Sequence, residues 1–223
     1  MTDTARSFHD FEQAGWERVA EEYDRRFGEL TSQSIAPLLD AAGAAAGVQL
    51  LDVACGPGYV AAAASRRGSN VLGIDFSSAM VSRASHLYPD LEFRFGDAEK
   101  LDLLPASFDA VVMNFGMLHL ANPENAIAEA FRVLRPGGRY GFTVWDVPER
   151  ALAFGIILQS IRLHGKMEVG LPSGPPFFRF SDPEESKRAL AAADGQSAPD
   201  ADALRLWQAQ QHRVNLRLLA ALG

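Results

Sequence analysis

A glycine turn between an apolar strand and a helix gives the strongest chemical signal in this sequence. Residues 48–53 have the composition of a buried strand and include Asp52. The turn that follows contains Gly56 and Gly58, and residues 59–64 have helical character. Glycine has no Cβ, so a ligand can approach the backbone closely, and in α/β proteins such a turn brings backbone N–H groups against a cofactor. The turn therefore predicts a nucleotide-like cofactor.

Two further carboxylates follow predicted strands. Asp75 stands at the end of the second strand, where a carboxylate can accept two hydrogen bonds from a ribose diol. Asp97 follows the third strand in a Gly-Asp-Ala turn. Each has a structural alternative, because Asp75 could cap the helix predicted from Ser78 and Asp97 could serve only its own turn.

The segments that position these residues alternate between strand and helix patterns. Apolar residues at helical spacing predict an N-terminal helix that contains Trp16 and Tyr23. The predicted strands are residues 48–53, 70–74, 91–95, 110–114 and 139–145. Five strands alternating with helices predict an α/β protein with a Rossmann-like, doubly wound parallel sheet.

With these elements in order, the sequence resembles the class I methyltransferases that use S-adenosylmethionine. Within that class it is similar to the small-molecule group that includes the ubiquinone and menaquinone biosynthesis methyltransferases. The resemblance extends from about Trp16 to Trp145 and rests on five ordered motifs. They are LDVACGPG at residues 51–58, VLGIDFS at 71–77, FGDAE at 95–99, FDAVV at 108–112 and RVLRPGG at 132–138.

The resemblance implies S-adenosylmethionine as the cofactor and assigns roles to individual residues. Asp75 would bind the ribose diol, Asp97 the adenine amino group, and the backbone N–H of Ala98 a ring nitrogen. The remaining cofactor-binding residues that it implies are Asp52 at the methionine ammonium, Ala54, Gly56 and Gly58 in the turn, Phe76 and Met80 around the adenine, and Asn114 and Phe115 along the methionine moiety. Met80 at helical spacing is equally consistent with a core position.

Catalysis requires the protein mainly to align a small-molecule acceptor with the methyl group and to exclude water. If a base is needed, His119 is the best candidate, because it follows the fourth strand at the ligand-binding edge of the sheet. Tyr23 is a second candidate, on a helix that in similar enzymes folds over the cofactor as a lid. His119 could instead hydrogen-bond a loop, and Tyr23 could lie at a helix edge. Phe154, Phe177 and Phe178 could line the acceptor pocket or belong to the core.

Two other functions fit part of the sequence. Residues 56–61 also match the dinucleotide fingerprint G-x-G-x-x-G/A, which would indicate an NAD(P)-dependent oxidoreductase. The Gly-Asp-Ala turn and the motif at residues 132–138 argue against it, since nicotinamide enzymes do not need them. A non-catalytic cofactor-binding or scaffold protein is the other alternative, because the C-terminal part departs from the family.

The C-terminal part shows no strand pattern where the family has two closing strands. An apolar stripe at helical spacing predicts a terminal helix instead, with residues Leu204, Trp207, Val214, Leu218 and Leu222. The fifth strand would then have a free edge, covered either by that helix or by a second copy in a homodimer. We therefore divide one compact domain into a helical lid (1–47), a cofactor-binding α/β core (48–146) and a mostly helical segment for the acceptor (147–223).

Composition limits the partners and the location. The net charge of −7 over 223 residues argues against binding to nucleic acid or to anionic membranes. Cys55 is the only cysteine, so no intrachain disulfide can form, and no metal site is predicted. The first residues lack the apolar core of a signal peptide, and no apolar run approaches the roughly 20 residues of a membrane span. We expect a cytoplasmic protein without a membrane span.

Overall fold

The computed structural model describes residues 7–193, 204–211 and 214–222. The helices of the described residues are α1 (Phe8–Arg26), α2 (Gly28–Ser32), α3 (Ile35–Ala42), α4 (Tyr59–Arg66), α5 (Ser78–Leu87), α6 (Pro123–Val133), α7 (Leu152–His164) and α8 (Pro183–Ala193). The strands are β1 (Gln49–Val53), β2 (Asn70–Asp75), β3 (Glu92–Phe95), β4 (Phe108–Asn114), β5 (Leu134–Trp145), β6 (Leu204–Gln211) and β7 (Val214–Leu222). These strands form one sheet in the order β3-β2-β1-β4-β5-β7-β6.

The first five strands run parallel, which confirms the predicted doubly wound sheet. β1 pairs with β2 on one side and with β4 on the other, so the strand order reverses between β1 and β4. Ligands in open α/β sheets bind at the carboxyl ends of the strands beside such a reversal. This strand order places two segments at the expected binding edge: the glycine turn that follows β1 and the end of β4.

Apolar side chains cover both faces of the central strands. Ala110, Val111 and Val112 of β4 are fully buried, and they contribute to two different hydrophobic clusters. One cluster includes side chains of α6 and α8, and the other includes side chains of α3 and α4. A strand buried on both faces reads as a continuous apolar run, which is why the sequence identified β4 as a central strand.

The C-terminal strands correct the prediction of a terminal helix. β7 lies antiparallel to β5 from Arg139↔Leu222 to Trp145↔Leu216, and β6 lies antiparallel to β7. The predicted stripe is rich in Leu, Ala, Arg and Gln, which favour helix in isolation. An unpaired edge of β5 would leave its backbone N–H and C=O groups without partners, and strand pairing there outweighs the local propensity. The two closing strands are therefore present, and the predicted residues Leu204, Trp207, Val214, Leu218 and Leu222 belong to them.

Helix α1 is attached to α5 beside the carboxyl ends of the parallel strands. The Glu17 carboxylate accepts hydrogen bonds from the backbone N–H groups of Ser78 at 2.6 Å and Ala79 at 3.0 Å. These N–H groups begin α5 and have no partners within that helix. A side chain of α1 therefore caps α5 and fixes α1 beside the end of β2. Within the described ranges, no helix combines the length and the apolar character needed to cross a membrane.

Candidate active site

A cavity of about 250 Å³ lies at the carboxyl ends of the parallel strands, and side chains of α1 line its other side. It collects most of the residues that the sequence singled out. The predicted residues that line it are Tyr23, Ala54, Gly56, Asp75, Phe76, Met80, Asp97, Ala98, Asn114, Phe115 and His119. Asp52 and Gly58 are not among the lining residues. A small-molecule site is expected in this position in an open α/β sheet.

The glycine turn has an unusual backbone conformation. Ala54, Gly56 and Gly58 have φ angles of 54°, 51° and 85°, all in the left-handed region. A Cβ at Gly56 would meet nothing within 4 Å, so this backbone is open to the cavity that it lines. A Cβ at Gly58 would lie 2.7 Å from the ring of Phe93, so packing against β3 requires glycine there. Ala54 is a non-glycine residue in a strained conformation, a feature that clusters at functional sites.

Asp75 connects the end of β2 to the glycine turn. Its carboxylate accepts hydrogen bonds from the N–H groups of Gly56 at 2.8 Å and Ser77 at 2.9 Å. Burial raises the pKa of Asp75 to about 6, although these two hydrogen bonds act in the opposite direction. A carboxylate oxygen can accept more than one hydrogen bond, so the group can still receive donors from the cavity.

Asp52 lies behind the turn and is fully buried. Its Oδ2 accepts a hydrogen bond from the N–H of Ala61 in α4 at 3.0 Å, and its Oδ1 has no hydrogen-bond partner among the described residues. Burial raises the pKa of Asp52 to about 8, and the nearby charge of Asp75 acts in the same direction. In this structure Asp52 ties α4 to β1 and does not reach the cavity.

The predicted adenine side of the cavity is reached from α1. The carbonyl oxygen of Phe76 accepts a hydrogen bond from Gln13 Nε2 at 2.8 Å, and the ring of His9 meets the Phe76 ring edge-on at 5.6 Å. His9 Nε2 lies 3.2 Å from Asp97 Oδ2. Sequence reasoning missed His9 and Gln13, because a polar side chain on a helix gives no sign of the loop that it will meet.

Asn114 has a side-chain role that its backbone assignment did not include. Its Oδ1 accepts hydrogen bonds from the hydroxyls of Ser34 and Thr143, each at 2.6 Å, and its Nδ2 donates to the carbonyl oxygen of Thr31 at 3.1 Å. Asn114 therefore holds the segment between α2 and α3 against β4 and β5. Phe115, which follows, has a φ of 58° and lines the cavity.

Helix α1 also meets the candidate base. His119 Nδ1 lies 2.7 Å from Glu12 Oε2, and the ring of Trp16 meets the His119 ring edge-on at 4.7 Å. Tyr23 donates a hydrogen bond to Thr31 Oγ1 at 3.1 Å, and burial raises the pKa of Tyr23. Both candidate catalytic residues thus line the cavity and have defined partners.

Aromatic rings form the far wall of the cavity. Phe115 stacks on Trp145 with ring centroids 4.2 Å apart, and Phe154 lies 5.1 Å from Trp145. Phe154 and Phe177 line the cavity, whereas Phe178 packs behind them. Further lining residues that the sequence had not singled out as site residues are Trp16, Phe27, Thr31, Tyr59 and Trp145. The four aromatic residues among them have the same pattern in the sequence as core residues, and Thr31 has no distinguishing pattern.

The fold and the site together define a class of protein. A parallel sheet extended by an antiparallel closing strand, with an open glycine turn after β1 and a carboxylate at the end of β2, is the arrangement of the class I S-adenosylmethionine-dependent methyltransferases. Residues 51–142 match the family model described as "Methyltransferase domain". This stretch of the chain is therefore similar to that family.

Three known proteins illustrate the similarity. A demethylmenaquinone methyltransferase from Beutenbergia cavernae is 38% identical over 125 residues, which are 55% of this chain and 52% of the relative. The match thus spans about half the length of that relative. A SAM-dependent methyltransferase from Aquifex aeolicus gives a TM-score of 0.58 at 18% identity, covering 94% of this chain and 97% of the other. The 4+2 cyclase SpnF gives 0.60 at 20% identity, covering 98% and 97%.

The two structural similarities show the fold alone. Because one of them is a cyclase, the fold does not define the reaction, which has to be argued from the site. The residues present fit S-adenosylmethionine, the cofactor of the class. The backbone at Gly56 is open to the cavity, and the Asp75 carboxylate lines the same cavity with room for further hydrogen bonds.

Proposed function

We propose that this protein transfers a methyl group from S-adenosylmethionine to a small-molecule acceptor by in-line displacement. The observation that carries the proposal is a single cavity with the Gly56–Asp75 pair on one side and the aromatic wall with His119 on the other. When bound, the cofactor supplies an activated methyl group on a sulfonium, so the protein has to orient the acceptor and exclude water.

The proposed cofactor-binding groups follow the strand ends. Asp75 binds the ribose diol, and Asp97 with the N–H of Ala98 binds the adenine. Phe76 and Met80 contact its faces, while Ala54, Gly56 and the backbone at Asn114 and Phe115 surround the methionine moiety. Asp52 and Gly58 support the turn from behind, because neither lines the cavity.

The proposed acceptor is an uncharged, flat small molecule. Trp145, Phe154 and Phe177 offer ring faces and edges, and no lysine or arginine lines the cavity within the described chain. The relative named demethylmenaquinone methyltransferase supports an aromatic acceptor. His119 would take the acceptor's proton, and the Tyr23 hydroxyl would position it.

The domain organisation and the location are part of the same proposal. Residues 1–47 act as a lid, residues 48–146 hold the cofactor, and residues 147–223 contribute Phe154 and Phe177 to the acceptor wall. Residues 1–6, 194–203, 212–213 and 223 lie outside the described residues. The protein would act in the cytoplasm. The predicted homodimer loses its original reason, because β7 occupies the edge of β5. The closing strands likewise remove the sequence-based reason for a scaffold protein.

Two measurements test the proposal. Calorimetry compares S-adenosylmethionine, its demethylated product and NADH, and we expect the first two to bind and NADH not to bind. Replacing Asp75 with Asn should weaken S-adenosylmethionine binding by about ten- to a hundredfold, since hydrogen bonds to a charged group are lost. The exposed Asp102→Asn is the matched control. Binding of NADH alone would overturn the assignment of the cofactor.

Transfer of an isotope-labelled methyl group to a panel of quinols, phenols and amines tests catalysis. We expect label on at least one uncharged aromatic acceptor. Tight cofactor binding with no labelled acceptor across the panel would favour the non-catalytic alternative instead.

A further inference from the structure

A carboxylate of α1 contacts the candidate base from across the molecule. Glu12 Oε2 lies 2.7 Å from Nδ1 of His119, although 107 residues separate the two in the chain. Their side chains are only 17% and 26% exposed, so solvent screens this pair less than it screens a surface ion pair. With Nδ1 facing Glu12, Nε2 is the ring nitrogen that remains for a ligand in the cavity that His119 lines.

We propose that Glu12 is a positioning residue that makes His119 a directed base, an inference that rests on the function proposed above. A carboxylate accepts a hydrogen bond from Nδ1–H and so selects the neutral tautomer in which Nε2 carries a free lone pair. That lone pair is the group that can accept a proton from the acceptor. Sequence reasoning treated His119 alone, and Glu12 had no assigned role.

The contact is more than an attachment of α1 to the core. Three other side chains of α1 already provide that attachment. Gln13 donates a hydrogen bond to the carbonyl oxygen of Phe76, and Glu17 caps α5. The Asp24 carboxylate accepts hydrogen bonds from Tyr59 and Arg83. Glu12 lies four residues before Trp16, so both side chains project from one face of α1. The carboxylate fixes the ring nitrogen and the indole edge fixes the ring plane.

The proton and electron balance follows from this arrangement. An acceptor hydroxyl gives its proton to Nε2 while its oxygen forms a bond to the transferred methyl carbon. The bond between that carbon and sulfur breaks, and its electron pair stays on sulfur. The resulting imidazolium is paired with the Glu12 carboxylate until Nε2 releases its proton to solvent. The base is therefore complete only while α1 is docked.

The tautomer can be measured without any acceptor. Nitrogen-15 NMR of labelled protein at alkaline pH distinguishes a protonated Nδ1 from a protonated Nε2. We expect His119 to carry its proton on Nδ1 in the wild-type protein and to change to Nε2 in Glu12→Ala. Glu12→Gln should retain the wild-type tautomer, because its amide oxygen still accepts from Nδ1–H. The control is Glu21→Ala, an exposed change on the same helix.

A pair of acceptors tests the catalytic consequence. A nitrophenol is ionised at the assay pH and needs no base, whereas an alkylphenol of similar shape has to lose a proton. We expect Glu12→Ala to lower kcat for the alkylphenol by about ten- to a hundredfold and to leave the nitrophenol within about twofold. Glu12→Gln should recover part of the loss.

The outcomes separate this inference from the proposed function. Wild-type His119 protonated at Nε2, or a tautomer unchanged in Glu12→Ala, would overturn the positioning role whatever the enzyme methylates. An equal loss of kcat for both phenols would do the same, since it indicates general damage. If the protein fails to bind S-adenosylmethionine, the proposed function fails, while the tautomer still decides the role of Glu12.

Discussion

At the scale of single residues, two buried aspartates near the same turn do different things. Asp75 lines the cavity and is held by two backbone N–H groups, so its orientation is set before a ligand arrives. Asp52 lies one layer deeper and holds α4 through the N–H of Ala61. Both have a raised pKa because burial disfavours their charged forms. Because of this difference in depth, the proposed ligand-binding role belongs to Asp75, whereas Asp52 supports the turn from behind.

The raised pKa of Asp52 predicts a stability that depends on pH. The folded-state pKa of about 8 lies above the ordinary aspartate value of 3.8, so between these two pH values the folded state binds more protons than the unfolded state. Stability conferred by that proton is lost as the pH rises toward 8. Between about pH 6.5 and 9, we expect the thermal unfolding midpoint to fall in the wild type but much less in Asp52→Asn.

The neighbouring acid helps to define the range. Asp75 has a pKa of about 6, so it is largely ionised above pH 6.5, where the range begins. Asn at position 52 can still accept the hydrogen bond from Ala61, so the fold is retained. Differential scanning calorimetry measures the midpoint, with exposed Asp102→Asn as the control. Equal slopes in wild type and Asp52→Asn would contradict the prediction.

Gly56 offers a second test at this scale. A methyl group there would project into open cavity, whereas the same change at Gly137 places a methyl group where nothing lies within 4 Å, outside the site. Both residues have positive φ, so Ala costs each about 1 kcal/mol in backbone strain. We expect Gly56→Ala to weaken S-adenosylmethionine binding at least about tenfold and Gly137→Ala to leave it unchanged. Calorimetry measures both, and equal affinities would show that the turn does not contact the cofactor.

At the scale of elements, α1 is the part whose contacts carry the proposed chemistry. Its polar side chains reach the loop after β2, the start of α5 and the short turn that holds His119. In each contact, a side chain of α1 meets a backbone group or a ring nitrogen that has no hydrogen-bond partner within its own loop, helix or turn. A helix attached in this way can be released by losing a few polar contacts, without exposing the core.

Glu17 is the side chain to change in order to test that attachment. Removing the carboxylate leaves the first N–H groups of α5 without their cap, which costs about 1 kcal/mol. We expect Glu17→Ala to increase amide hydrogen exchange in α1 and to speed cofactor dissociation, while the central strands keep their protection. The control is Glu21→Ala. Unchanged exchange in α1 would mean that Glu17 does not hold the helix.

The elements also show which parts of the structure the sequence predicts. The five parallel strands could be predicted, because apolar runs such as residues 110–114 and glycine turns are local signals. The contacts of His9, Glu12 and Gln13 could not, since they depend on where α1 crosses the sheet. The depth of Asp52 could not be predicted for a related reason: a motif fixes the strand but not the layer that each side chain occupies. A water-mediated contact between Asp52 and the methionine ammonium stays a prediction.

At the scale of the whole molecule, the closing strands β6 and β7 complete the sheet, because β7 pairs with the edge of β5 that would otherwise be free. Local propensity predicted a helix for residues 204–222, and β6 and β7 form there because the edge of β5 supplies backbone partners. This information is non-local and cannot be read from the segment itself. Seven register pairs between β5 and β7 run along the same strand that carries Trp145 to the acceptor wall.

Removing β6 and β7 therefore tests the integrity of the whole sheet. A chain that ends after Ala193 would expose the backbone edge of β5, and such edges pair with other chains. We expect light scattering to show self-association of this truncated protein, and we expect it to unfold at a lower temperature. Acceptor binding at the aromatic wall should weaken more than cofactor binding at the glycine turn. S-adenosylmethionine binding by any monomeric fraction should persist. Gly56 follows β1 and Asp75 ends β2, and β4 separates both strands from β5. A monomeric truncated chain with an unchanged unfolding midpoint would show that β5 does not need its partner.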